Sequence, residues 1–176
     1  MDYQELTKIR RSVRSYDASK KVSKEQLEEI IKAAQLAPSW KNSQTGRYYL
    51  AASDEAIAKV SAALPEFNQN SSRGSALIVT TFVKGISGFG DGQPINEPGD
   101  EWGAYDLGLQ NAYLVLKASD MGLDTLIMGI RDADALRAAL SIPETEEVIA
   151  VIAVGYRAKD PVFGGRKELS EIAKFF

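Results

Sequence analysis

The chain contains neither cysteine nor histidine. Without an imidazole base, no Ser-His-Asp or Cys-His nucleophile can form. Without thiolate or imidazole ligands, the familiar zinc sites, disulfides and Cys-ligated iron–sulfur clusters are excluded. A reactive centre must then be a carboxylate, an amine, a hydroxyl, an oxygen-ligated metal or an organic cofactor. Long apolar runs are missing too. None approaches the ~20 residues of a membrane span, so no membrane partner is expected. Met1-Asp2-Tyr3-Gln4-Glu5 lacks the basic-then-apolar layout of a secretory signal, and a cytoplasmic location is expected. Neither sign of charge prevails. Over 176 residues, 21 basic and 24 acidic side chains leave −3, with no basic surplus to track the phosphates of a nucleic acid.

What remains is the composition of one globular domain, 44% hydrophobic and 26% charged, expected to span residues 1–176. Asp2 can cap a first helix that directs Leu6, Ile9 and Val13 inward. Ser23-Lys24-Glu25-Gln26 forms a capping box ahead of Leu27, Ile30, Ile31 and Ala34 at helical spacing. Pro38 stops that helix. Arg47 to Ala52 reads as a strand. Ser53 opens a helix through Ile57, Val60 and Leu64, and 66–75 reads as polar loop. Ala76 to Val83 is a continuous apolar, β-branched run, the mark of a buried strand. Residues 84–101 hold five glycines and two prolines without periodicity, predicting a long loop of the kind that acts as a lid. Trp102 to Met121 is a helix apolar nearly all round, hence central. Strands at 123–128 and 148–154 flank a helix capped by Asp132. Helices and strands mix without regular alternation, so the class is α+β with a mixed sheet.

Five constellations could carry chemistry. Arg10, Ser12 and Arg14 stand at i, i+2, i+4 where a helix gives way to loop. Guanidinium forks and a hydroxyl suit a phosphate, although a solvated basic helix end would look the same. Pro38-Ser39-x-x-Asn42-x-Gln44 offers small hydroxyls and amides, which orient a neutral heterocycle or merely form a polar turn. Gly88-Phe89-Gly90-Asp91-Gly92 follows a strand. Its glycine spacing and the prolines behind it exclude a dinucleotide fingerprint, which opens directly into a helix. Met128-Gly129 ends a buried strand and allows close backbone approach. Arg166-Lys167 beside Gly164-Gly165 could complete a phosphate pocket or lie on an exposed tail. No carboxylate spacing marks a metal site or an acid–base dyad.

Together these features resemble the FMN-dependent nitroreductase family. Arg10-Arg11-Ser12-Val13-Arg14-Ser15-Tyr16 is similar to its N-terminal R-x-S-x-R/K-x-[FY] segment, and Ala37-Pro38-Ser39 with Asn42 and Gln44 to its A-P-S-x-x-N-x-Q loop. Phe67-Asn68-Gln69, then Asp106-x-Gly108 with Asn111 and Met121-Gly122-Leu123, and finally Arg166-Lys167 follow in register over nearly the whole chain. The resemblance implies a three-layer α+β sandwich, an intertwined homodimer, and FMN at the interface. Arg10, Ser12, Arg166 and Lys167 would serve the phosphate end, Arg11 would belong to the cofactor-binding set, and Arg14 would meet the N1/O2 edge. Asn68 would meet the pyrimidine edge, and the backbone of Met128 and Gly129 would face N5 and O4. Pro38, Ser39, Trp40, Asn42 and Gln44 would line the flavin, Pro38 and Ser39 from the partner, and the 166–176 tail would contact that partner.

The resemblance further implies ping-pong transfer from NADH or NADPH, through flavin N5, to a small acceptor such as a nitroaromatic or quinone. Thr45-Gly46 departs from the Pro-Trp of many members, Trp40 crowds the loop, and 84–101 replaces a longer helical excursion. Alternatives are a flavin-fragmenting enzyme or reductive dehalogenase of the same fold, a non-catalytic flavin-binding protein, and an interaction domain without cofactor.

Overall fold

The computed structural model describes residues 2–176. The chain runs α1 (Tyr3–Ile9), α2 (Lys24–Gln35), β1 (Gly46–Ala51), α3 (Asp54–Ala62), α4 (Glu66–Ser72), β2 (Ala76–Val83), β3 (Phe89–Gly90), β4 (Gln93–Pro94), α5 (Glu101–Asp120), β5 (Asp124–Met128), α6 (Ala133–Leu140), β6 (Glu146–Gly155) and α7 (Leu169–Ile172). Strands β1-β2-β6-β5 form a four-stranded sheet in that order, and every pair is antiparallel. The parallel component of the expected mixed sheet is one bridge, Ser12 to Thr125, at the β5 edge.

The two central strands are apolar along their length because both faces are covered. Alternate side chains point to opposite faces. Leu77 and Val79 of β2 and Val151 and Ala153 of β6 join Val60 of α3 and Leu136 of α6. Ile78 of β2 and Ile152 and Val154 of β6 join Leu27 and Ile30 of α2 and Leu114 and Ala118 of α5. The result is the expected three-layer α+β sandwich.

Three expectations are corrected. Helix α1 buries no residue: Ile9 is 40% exposed, and Arg10 leaves helical geometry, so Val13 reaches the core from extended chain instead. Residues 66–75 are not all loop. Helix α4 turns Asn68 and Ser72 inward at i, i+4, and the Ser72 hydroxyl donates to the Asn68 carbonyl at 2.8 Å. The 84–101 segment carries a hairpin, β3–β4, whose turn residues Asp91 and Gly92 both have positive φ, as a two-residue type I′ turn requires.

Helix α5 approaches the sheet closely at Gly103, where an added Cβ would overlap the ring of Phe82. Phe82 is 3% exposed and cannot swing away. Gly103→Ala is therefore expected to destabilise the fold by about 1–3 kcal/mol, the range for overpacking, read as a lower urea midpoint at unchanged slope.

Candidate functional site

The segment from Arg10 to Asp17 is extended and pinned on two sides. The Val13 N–H donates to the Thr125 carbonyl at 3.0 Å, the Asp17 N–H to Tyr156 at 2.8 Å, and the Ala158 N–H to Ser15 at 2.9 Å. Tyr16 pairs with Arg157 as an antiparallel bridge. Arg157 is itself anchored: its Nε and Nη2 donate to both oxygens of the buried Asp124, at 2.8 and 2.6 Å. Spacing i, i+2, i+4 is thus the spacing of extended chain. Val13 turns into the core while Ser12 and Arg14 face outward.

Two strands of the basic set converge here. Burial, then Arg11, then Arg166 hold the Arg10 guanidinium below its ordinary value, so cations from both ends of the chain share one neighbourhood. The Phe163 ring meets two of them, its centroid 4.4 Å from Arg11 and 5.9 Å from Arg166. Among the described residues, no carboxylate forms an ion pair with Arg10, Arg11, Arg14, Arg166 or Lys167. Lys167 is exposed. The Asn68 side-chain amide donates to the Ile130 carbonyl at 3.0 Å, which ties α4 to the turn after β5. Met128 is buried, whereas Gly129 opens onto free space.

The Pro38–Gln44 loop is built separately. No hydrogen bond or ion pair among the described residues joins it to the Arg10–Arg14 segment. Lys41, Asn42 and Gln44 all hold positive φ, at 45°, 56° and 50°, a conformation that costs non-glycine residues energy and needs support. Asp106 of α5 supplies it. This carboxylate is 2% exposed. It accepts from the Trp40 N–H at 3.0 Å and from the Ser87 hydroxyl at 2.7 Å. Ser87 also meets Ser43 at 2.7 Å, which joins the loop to the base of the β3–β4 hairpin. The Trp40 ring tilts against Trp102, centroids 4.8 Å apart. Trp40 therefore packs on α5. Pro38, Asn42 and Gln44 are exposed, and Ser39 is half-buried.

Sequence reasoning missed the organising role of Asp106. The signal was a polar stripe, Asp106, Gln110 and Asn111, on the buried face of an otherwise apolar helix. Among the described residues, no group of three carboxylates gathers to hold a metal ion, and no helix is long and apolar enough to cross a membrane.

This fold has known counterparts. Residues 7–156 match the nitroreductase family. A protein of Archaeoglobus fulgidus, provisionally named an NADH dehydrogenase/NAD(P)H nitroreductase, is 32% identical over 151 residues, covering 84% of this chain and 80% of that one. A solved structure from Exiguobacterium sibiricum, a provisionally named nitroreductase in complex with FMN, superposes with a TM-score of 0.88 at 23% identity. It covers 100% of this chain and 98% of that one. A nitroreductase family protein of Clostridium difficile gives a TM-score of 0.82 at 27% identity, covering 99% and 98%. The chain belongs to the nitroreductase family.

Asp106→Ala would leave the Trp40 N–H without its acceptor and the Ser87 hydroxyl with only Ser43 and Thr45. An orphaned buried donor costs about 1–3 kcal/mol. A stability loss in that range is expected, together with faster hydrogen exchange at the Trp40 amide. Unchanged exchange there would mean that Asp106 does not hold the loop.

Proposed function

We propose that the protein is an FMN-dependent oxidoreductase that takes reducing equivalents from NADH or NADPH and delivers them to a small acceptor such as a nitroaromatic or quinone. The observation that carries the reading is the cluster of guanidiniums around Arg10, gathered from both ends of the chain and, among the described residues, ion-paired with no carboxylate. Like charges repel, so a fold that collects them has a use for an anion. Guanidinium forks match phosphate oxygens. The rest of the set also suits a flavin mononucleotide: an outward hydroxyl at Ser12, an amide at Asn68, and open backbone at Gly129.

In this reading Arg10, Arg11, Ser12, Arg166 and Lys167 hold the phosphate. Arg14, two residues along the same outward face, counters negative charge at the pyrimidine end. Asn68 orients that edge, its own position set by the bond to Ile130. The N–H groups of Met128 and Gly129 offer donors to the central ring. Bound FMN would supply the redox chemistry, accepting two electrons from the nicotinamide and passing them to the acceptor. The protein's part is to stack, orient and exclude water. With neither histidine nor cysteine in the chain, protons at the acceptor come from solvent or from oxygen acids.

The Pro38–Gln44 loop lacks bonds to the arginine segment of its own chain, which supports its serving a second copy as part of a homodimer. A mostly apolar groove of about 730 Å³ among α1, α2 and α5 supports the same assembly, with Tyr3, Leu6, Ala33, Ala112, Tyr113 and Leu116 on its walls beside Lys117 and Asp120. Tyr105 and Tyr113 of α5 are 59% and 43% exposed. The β3–β4 hairpin, tied to α5 through Asp100 and Asn96, is read as the lid over the acceptor site.

The purified protein is expected to be yellow, or to become so on reconstitution with FMN, and to turn over an acceptor panel with NADH or NADPH. A protein that binds FMN but oxidises neither nicotinamide faster than free flavin would be a flavin-binding protein instead. Arg10→Ala should weaken FMN binding by about 1.5–3 kcal/mol, the worth of a charge-assisted contact, measured by flavin fluorescence quenching.

A further inference from the structure

The cation cluster raises a physical problem that its arginines do not solve themselves. Three guanidiniums in one neighbourhood repel one another, and without an anion they should splay into solvent. A carboxylate would hold them together, but it would also neutralise them and compete with a bound phosphate. An aromatic face is the other option. Its quadrupole attracts cations without discharging them.

The chain places such a face there. The pairing of Ser15 with Ala158 and Tyr16 with Arg157 sets an antiparallel pass in which each step back along the N-terminal segment is matched by a step forward beyond β6. Continued at that register, residue 11 falls opposite residue 162. Phe163 lies next to that position, with its ring over Arg11 at 4.4 Å and Arg166 at 5.9 Å. The side chain is 61% exposed and contributes nothing to either apolar core. Hydrophobic packing therefore does not explain it. The Arg166 guanidinium is further steadied from below, its Nη1 donating to the carbonyls of Gly164 and Gly165 at 3.0 and 3.1 Å. The Arg11 Nη1 donates to the Arg10 carbonyl at 2.6 Å. Arg11 and Arg166 are thus held by neutral groups, and among the described residues neither is ion-paired with a carboxylate.

We propose that Phe163 is a positioning residue of the phosphate end of the site, its ring holding Arg11 and Arg166 together beside Arg10 so that the cluster is assembled before the anion arrives. The proposal rests on the cofactor reading above. It assigns Phe163 no contact with the flavin; the ring acts through the two arginines.

The test compares two ligands that differ only in the phosphate, FMN and riboflavin, titrated into the full-length protein after flavin removal. Phe163→Leu keeps bulk and removes the π face; Phe163→Tyr keeps the face. For two partly exposed cation–π contacts, Phe163→Leu is expected to weaken FMN about three- to tenfold. Riboflavin affinity should stay within about twofold, and Phe163→Tyr should restore FMN binding. Inorganic phosphate should compete with FMN less well in the Leu variant. An equal loss for both ligands would overturn the proposal, because it would mean a general structural role. FMN binding unchanged in Phe163→Leu while Arg166→Ala weakens it would overturn the clamp and leave the cofactor reading standing. If Arg10→Ala and Arg166→Ala also leave the FMN-to-riboflavin ratio unchanged, the phosphate assignment falls with it.

Discussion

Arg10 is partly buried among like charges, and the surrounding backbone is arranged around that constraint. A guanidinium in such a place is costly unless its neighbours are fixed. The fixing comes from main-chain bonds. Val13 is tied to Thr125 of β5, and Asp17 and Ser15 to the strand that leaves β6. Arg157, next to that strand's end, is locked to Asp124. Gly155 makes the last pairing possible, since a Cβ there would press on the Tyr16 ring at 2.8 Å. The sheet core thus sets the position of its own edge, and the edge carries the cations. Removing a contact at the bottom of this hierarchy would loosen every level above it.

The second half of the site obeys a different economy of interactions. Lys41, Asn42 and Gln44 hold left-handed backbone, and the strain is offset by one buried carboxylate with hydrogen-bond donors and, among the described residues, no ion-paired cation. Asp106 faces Trp40 and Ser87 from the wall of α5. Ser87 and Thr45 are each 1% exposed, so the knot is closed to water. Because Ser87 begins the hairpin segment and Ser43 belongs to the loop, the two segments share one set of hydrogen bonds. In the proposed function, movement of the lid and geometry of the flavin loop would be coupled through this knot.

Much of this was legible beforehand, for specific reasons. Capping residues announced themselves: Ser23 with Gln26, Ser53 and Asp132 all bond the backbone as their spacing predicts. Continuous apolar runs at 76–83 and 148–154 gave the two central strands, because burial on both faces leaves no polar alternation to misread. What escaped was structure whose stabilisation is not apolar. Helix α4 reads Glu-Phe-Asn-Gln-Asn-Ser-Ser and is held by polar contacts that hydrophobic periodicity does not register. The Asp91-Gly92 turn was a usable hairpin signal, obscured by the glycines around it. Arg10, Ser12 and Arg14 were visible in sequence. Their two-residue period, however, speaks for extended chain, and the helix was expected to run too far. The role of Asp106 depends on contacts with Trp40, 66 positions away, and Ser87, 19 positions away, which no local pattern encodes.

Helix α5 shows how fold and proposed assembly meet. Its composition is apolar nearly all round, and such a helix belongs in an interior. Yet the sheet and α2 cover only the face bearing Leu107, Leu114 and Ala118. The opposite side shows Tyr105 and Tyr113 to solvent, beside an α1 that buries nothing and exposes Tyr3 at 71%. A surface this apolar is normally an interaction site. The same helix carries Asp106, and so sets the loop that the arginine segment of its own chain does not reach by any hydrogen bond. A second copy packed on α1 and α5 would cover the apolar face and bring that loop toward an arginine cluster in one step. On that proposal, the helix that looks least finished in a single chain is the one that completes the site.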